Sequence, residues 1–215
     1  MPVEQPRTLW TPAADPRAVL LLGHGAGSPM TAPLLEGFAT AIAGLGISVL
    51  RFDFPYMTAG RKAPDRAPVL IESTRRAFDL ATARAQGLPA LAGGRSMGGR
   101  IASMAVAEGM PAAGLIFLAY PLHPPGRPDR IRDEHLYGIE APMLFLQGTR
   151  DPFAQPQLLA AVLERLGDRA EYHPVEGGDH GFKVAGGMRD GATIGGQLAP
   201  VAADFVRRRV LPSQA

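Results

Sequence analysis

The strongest constraint on this chain is a rhythm of short apolar runs separated by longer amphipathic stretches. Ala18-Val19-Leu20-Leu21-Leu22, Ile47-Ser48-Val49-Leu50, Pro89-Ala90-Leu91-Ala92, Ala113-Gly114-Leu115-Ile116-Phe117-Leu118 and Pro142-Met143-Leu144-Phe145-Leu146 are too short for helices and show no polar alternation. Runs of that kind read as strands buried on both faces, as in a parallel sheet covered by helices. A sixth, Ala170-Glu171-Tyr172-His173-Pro174-Val175, is less apolar, and Pro174, which has no N–H for a ladder, puts it nearer an edge. Helical stretches are expected at about 32–43, 68–86, 98–108, 156–166 and 193–210, and Gly44, Gly87, Gly109 and Gly167 follow the first four as helix-ending residues. The first dozen residues suit an added antiparallel strand pair, against which Pro2, Pro6 and Pro12 count. Such repeated strand–helix–strand alternation predicts an α/β architecture: a three-layer, doubly wound, mostly parallel sheet. With 215 residues and no repeat, low-complexity tract or linker, the expectation is one domain over 1–215.

Composition narrows the function classes. Hydrophobic residues make up 46% and charged residues 20%, an ordinary soluble balance. There is no cysteine, so disulfides, thiolate metal sites and a thiol nucleophile are all excluded. The net charge is only +2, and Arg207-Arg208-Arg209 ends a predicted helix, where cations favour the negative pole of the dipole; no nucleic-acid partner is expected. Met1-Pro2-Val3-Glu4-Gln5-Pro6 lacks the features of a signal peptide, and the longest early apolar run, Ala18 to Leu22, is too short to span a bilayer. These readings predict a cytoplasmic protein that does not engage membranes.

In open parallel sheets ligands bind outside the carboxyl ends of the strands, so the residues after each apolar run matter most. They are Gly23-His24-Gly25-Ala26-Gly27, Gly94-Arg95-Ser96-Met97-Gly98-Gly99, Tyr120-Pro121-Leu122-His123, Gln147-Gly148-Thr149-Arg150-Asp151-Pro152 and Gly177-Gly178-Asp179-His180-Gly181. One rim thus receives a serine, an aspartate and a histidine, in that order. Gly94-x-Ser96-x-Gly98 at a strand-to-helix junction matches a nucleophile elbow, with glycines where a side chain would strike neighbouring backbone. A serine hydroxyl needs a base to take its proton and a third group to orient that base. His180 is the candidate base and Asp151 the candidate acid, although a plain helix cap is the bland alternative for Asp151. His173 lies inside a strand, His123 and His135 precede the acid, and Asp179 adjoins the base too closely to orient it. The amides of Ala26 and Met97 are the expected oxyanion donors, with Gly27 as second choice to Ala26. Arg95 and His123 are candidates for substrate contact; His24 is read first as bracing its own turn by hydrogen bonding and only second as a substrate contact. Arg51, Arg61, Lys62, Arg66, Arg127, Arg130 and Arg132 follow two of the rim strands; they read first as a solvated arginine-rich surface and second as a field that would attract acidic esters.

These segments resemble the α/β-hydrolase superfamily from about residue 17 to 210. The resemblance is carried by Leu-Leu-Gly-His-Gly-Ala-Gly at 21–27, Arg-Phe-Asp-Phe-Pro-Tyr-Met at 51–57 and Gly-Gly-Arg-Ser-Met-Gly-Gly-Arg at 93–100. Tyr-Pro-Leu-His-Pro-Pro-Gly-Arg-Pro at 120–128 and Gln-Gly-Thr-Arg-Asp-Pro-Phe at 147–153 extend it. The match is nearest a small branch of predicted serine hydrolases without a cap, similar in size to dienelactone hydrolases. It implies nucleophile, acid and base at Ser96, Asp151 and His180, hydrolysis of a small ester or acyl substrate, and no metal or organic cofactor. The branch also resembles a non-catalytic subunit of a chromatin-modifying complex, so a scaffold is the alternative from another class. A thioesterase or cofactor-free perhydrolase is the alternative within the enzymes. Serine at the elbow disfavours an aspartate-nucleophile dehalogenase.

Overall fold

Each apolar run forms a strand in the computed structural model, which describes residues 5–187 and 189–211. The strands are β1 (Thr8–Thr11), β2 (Ala18–Gly23), β3 (Ile47–Phe52), β4 (Ala90–Arg95), β5 (Leu115–Leu118), β6 (Met143–Gly148) and β7 (Ala170–Val175). The helices are α1 (Pro33–Ala43), α2 (Pro55–Thr58), α3 (Ala67–Ala85), α4 (Met97–Ala107), α5 (Pro156–Leu166) and α6 (Gly191–Arg209). The strands make one sheet in the order β1-β3-β2-β4-β5-β6-β7. All neighbours run parallel except β1, which pairs antiparallel with β3. Among the described residues the chain start therefore adds a single strand, not a pair; β1 lies between Pro6 and Pro12, while Pro2 is outside the described residues. β7 is the other edge, as Pro174 required.

Strand periodicity sorts the apolar residues onto two faces. Ala18, Leu20 and Leu22 pack under α1 and α6 with Leu35, Phe38, Ile42, Leu198 and Phe205. Val19 and Leu21 turn to the opposite face with Phe78, Ala81, Ile101, Ala105 and Val162 of α3, α4 and α5. Leu20, Leu21 and Leu22 are fully buried, and burial of a leucine contributes about 2 kcal/mol. The arginines ending α6 serve the fold: Arg208 and Arg209 both pair with Glu171 of β7, and Arg209 also donates to the Asp168 carbonyl. Among the described residues, no helix is long and apolar enough to cross a membrane.

The sheet order sets the position of chemistry. Leaving β2, the chain goes outward to β3 and then crosses back to β4 on the other side of β2. The loops after β2 and β4 therefore lie side by side at the switch point, where parallel sheets open a crevice.

Candidate active site

Ser96 sits between β4 and α4 with φ 50° and ψ −117°, a backbone conformation that non-glycine residues rarely adopt. The turn is held from both sides: the Ser96 N–H donates to the Leu118 carbonyl of β5, and the Ser96 carbonyl accepts from Arg100. Its glycines are obligatory. A β-carbon on Gly94 would lie 2.4 Å from the Gly23 oxygen, and one on Gly98 would lie 2.5 Å from the same atom. Only with hydrogens at both positions can β4 and α4 close against the end of β2 and lift the serine out of the sheet.

The Ser96 hydroxyl meets His180 Nε2 at 2.8 Å, and His180 Nδ1 meets Asp151 Oδ2 at 2.7 Å. With the ring proton on Nδ1, the imidazole donates to the carboxylate and offers Nε2 as acceptor to the serine. Asp151 is buried and also accepts from Gln147 Nε2 on Oδ2 at 2.6 Å and from the Phe153 N–H on Oδ1 at 2.8 Å. The Phe153 ring stacks on the His180 imidazole with centroids 4.1 Å apart, fixing its plane. The histidine loop is fastened to the acid loop, because Arg150 N–H donates to the Gly178 carbonyl and Gly177 N–H to Thr149 Oγ1. Asp179 shapes that loop, with Oδ1 accepting from the Gly181 and Lys183 amides. Among the described residues no group of three or more His, Asp or Glu converges as metal ligands would.

The sequence matches the α/β hydrolase domain family over residues 16–208. The chain belongs to the α/β hydrolase family. Solved structures agree with its fold. A serine hydrolase without lid from Xanthomonas campestris is 22% identical, with 100% of this chain and 93% of that chain covered and a TM-score of 0.77. A serine hydrolase homologue from Coxiella burnetii is 18% identical over 95% and 93% of the two chains, with a TM-score of 0.74. Dienelactone hydrolase from Anabaena variabilis is 19% identical over 96% and 100%, with a TM-score of 0.72. At these identities the likeness is one of fold.

In this α/β hydrolase the loop after β2 is braced from beneath by the segment that ends β3. Phe54 N–H donates to His24 Nε2 at 3.0 Å, which leaves the proton on Nδ1, donating to the Gly25 carbonyl at 2.8 Å. The Met30 N–H donates to Asp53 Oδ1, the Met30 carbonyl accepts from Arg51, and the Gly27 N–H reaches the Tyr56 hydroxyl at 3.3 Å. The Arg-Phe-Asp-Phe-Pro-Tyr-Met phrase is thus the foundation of the rim loop. Ala26 and Met97 keep their amides free of partners among the described residues, and Ala26 is exposed.

The substrate contact expected of His123, and held as the lesser reading of His24 beside its bracing role, needs correction. His24 is 0% exposed with both ring nitrogens bonded to backbone, and burial lowers its pKa. His123 is also buried, with Nδ1 at the Pro124 carbonyl and Nε2 accepting from Gln155 N–H. Neither has a nitrogen left to offer a ligand. The expected field of rim arginines is also thinner: Arg51 is buried under Met30, and Arg61 and Arg127 pair with Asp65 and Asp129. Arg95 stays at the site, donating to the His180 carbonyl. Gln147 and Phe153 were missed by sequence reasoning, although both flank Asp151 within one turn.

Proposed function

We propose that this chain is a single-domain serine hydrolase that cleaves a carboxylic ester or related acyl compound through an acyl-enzyme. The observation that carries the reading is the unbroken hydrogen-bond path from Ser96 Oγ through His180 to Asp151. Ser96 Oγ attacks the acyl carbon while its proton passes to His180 Nε2; Asp151 stabilises the imidazolium and holds its orientation. The imidazolium then gives that proton to the departing alkoxide. A water molecule, deprotonated by the same nitrogen, attacks the acyl-serine, and the serine recovers its proton as the acid leaves. None of these steps calls on a metal or an organic cofactor. A thioester would pass through the same acyl-serine, and in a perhydrolase hydrogen peroxide would take the place of water as the acceptor of its acyl group.

The oxyanion donors in this reading are the amides of Ala26 and Met97. Met97 begins α4, whose N-terminal end carries positive partial charge. Peptide planarity supports Ala26 over Gly27. The Gly25 carbonyl is drawn inward by His24 Nδ1 and Ser28 N–H, so the Ala26 N–H on the same trans peptide points the opposite way. The Gly27 amide is already directed at Tyr56.

A fluorophosphonate probe tests this without knowledge of the substrate, since it needs only an activated serine and an oxyanion hole. One adduct is expected, on Ser96, and His180→Ala should nearly abolish it. A folded protein left unlabelled at neutral pH would support the scaffold reading. An adduct on Ser28 or Ser103 would overturn the choice of nucleophile.

A further inference from the structure

Arg95 is the last residue of β4, and its guanidinium lies between the two loops that flank the serine. Nη2 donates to the His180 carbonyl at 3.4 Å, and Nη1 stands 3.0 Å from where a β-carbon on Gly25 would be. That same missing β-carbon would be 3.7 Å from Ser96 Cβ, so the cation is beside the nucleophile and Gly25 makes room for it.

A guanidinium has five N–H donors, and one long bond to a carbonyl engages a single one of them. The two carboxylates whose charges act on it, Asp151 and Asp179, make no hydrogen bond or ion pair with it among the described residues. Asp151 accepts from His180, Gln147 and Phe153, and Asp179 Oδ1 accepts from two amides of its own loop. Both act on Arg95 through space, raising its pKa, but removal from water has the larger effect and lowers it. Arg95 is half-buried, and even partial withdrawal of a cation from water without a contacting anion is unfavourable, whereas a tie between two loops needs only a neutral donor. The open valence of Arg95 matches a planar anion, for which a guanidinium fork is the complementary shape.

We propose that Arg95 is the specificity-determining residue of this site and takes a carboxylate carried by the substrate, so that the enzyme favours acidic esters. The inference rests on the serine-hydrolase reading and names the substrate class of that site.

The test compares p-nitrophenyl hemiglutarate with p-nitrophenyl valerate, two acyl chains of equal length that differ in a terminal carboxylate. The quantity read is the ratio of kcat/KM for the two esters, taken within each protein so that any general loss of activity cancels. The wild type should prefer the hemiglutarate by about tenfold or more, as expected for a charge-assisted pair. Arg95→Gln should bring the ratio to about one or below, and Arg95→Lys, which keeps the charge without the fork, should fall between. A wild type that fluorophosphonate labels at Ser96 but that shows no preference, or is acylated by neither ester, overturns the Arg95 assignment alone. So does a preference that survives Arg95→Gln and vanishes in high salt, since exposed cations such as Lys62 and Arg66 would then be its source. A wild type that is neither labelled nor active overturns the serine-hydrolase reading, and this inference with it.

Discussion

Asp151 accepts three hydrogen bonds on two oxygens, and Gln147 and His180 share one of them. Its placement was legible because a carboxylate after a buried strand faces the rim. Its supporters were not: Gln147 reads as the polar end of a strand, and only the turn at Gly148 brings it back over a residue four positions on. The three side chains that chain order put together do meet, whereas His24 and His123 followed strands equally well yet turn inward. Sequence places a residue at the rim; it does not say which way the side chain points. The proposed mechanism predicts non-additive losses. Ser96→Ala or His180→Ala alone should lower kcat by roughly 10⁶-fold, as much as both together, while Asp151→Asn should cost roughly 10⁴-fold. Gln147→Leu removes one charged hydrogen bond from the carboxylate and should lower kcat by about tenfold with little change in KM. Steady-state kinetics on an activated ester checks all four; additive effects at Ser96 and His180 would count against a shared mechanism.

At the scale of elements, strands and long helices were legible because apolar runs and closing glycines punctuate them. The single turn of α2 and the 3-10 turn at Glu134–Gly138 were not, since each is four or five residues long and lacks a hydrophobic period, and β1 was legible as antiparallel structure near the chain start but not as one strand added to β3. Glycines also divide into two kinds that sequence cannot separate. A β-carbon on Gly94 would press between β2 and α4, both fixed in the core, and its φ of 156° adds strain. Gly94→Ala should therefore destabilise the whole fold by more than about 4 kcal/mol, read as a fall in the denaturant midpoint. A β-carbon on Gly148 would lie 2.3 Å from the Gly178 oxygen and 2.5 Å from the Asp179 oxygen, both in the loop that carries His180. A loop can retreat where a core cannot. Gly148→Ala should thus keep most of its stability and lose activity by about 10²-fold, the usual consequence of an ångström's displacement. Equal losses of stability in the two variants would show that the histidine loop is as rigid as the sheet.

For the whole molecule, acid is the perturbation that the half-buried His135 and the buried His24 make informative. His135 fastens the Glu134–Gly138 turn to α4, its Nε2 meeting Ser103 Oγ at 2.8 Å while Ser103 donates to the Arg100 carbonyl. Burial, and then the nearby Arg100 charge, push its pKa down to about 4 from 6.5. Burial moves His24 in the same direction, beneath the rim loop at the other side of the site. A histidine whose folded pKa is depressed binds protons in the unfolded chain before it does so in the native one. Its contribution is intact above about pH 6.5 and diminishes as pH falls toward 4, the opposite of a histidine that gains an anionic partner. Because His135 is not wholly sealed from solvent, water softens the effect, and the slope of stability against pH is a sounder readout than its size. The denaturant midpoint should fall steadily from pH 7 to 4.5, an interval that spans most of the gap between the unfolded and folded pKa of His135. His135→Gln, which keeps an amide donor for Ser103 but cannot titrate, should show a shallower decline over the same interval whatever its stability at pH 7. An undiminished slope in that variant would remove His135 as the cause and leave His24 as the histidine whose charging loosens the fold.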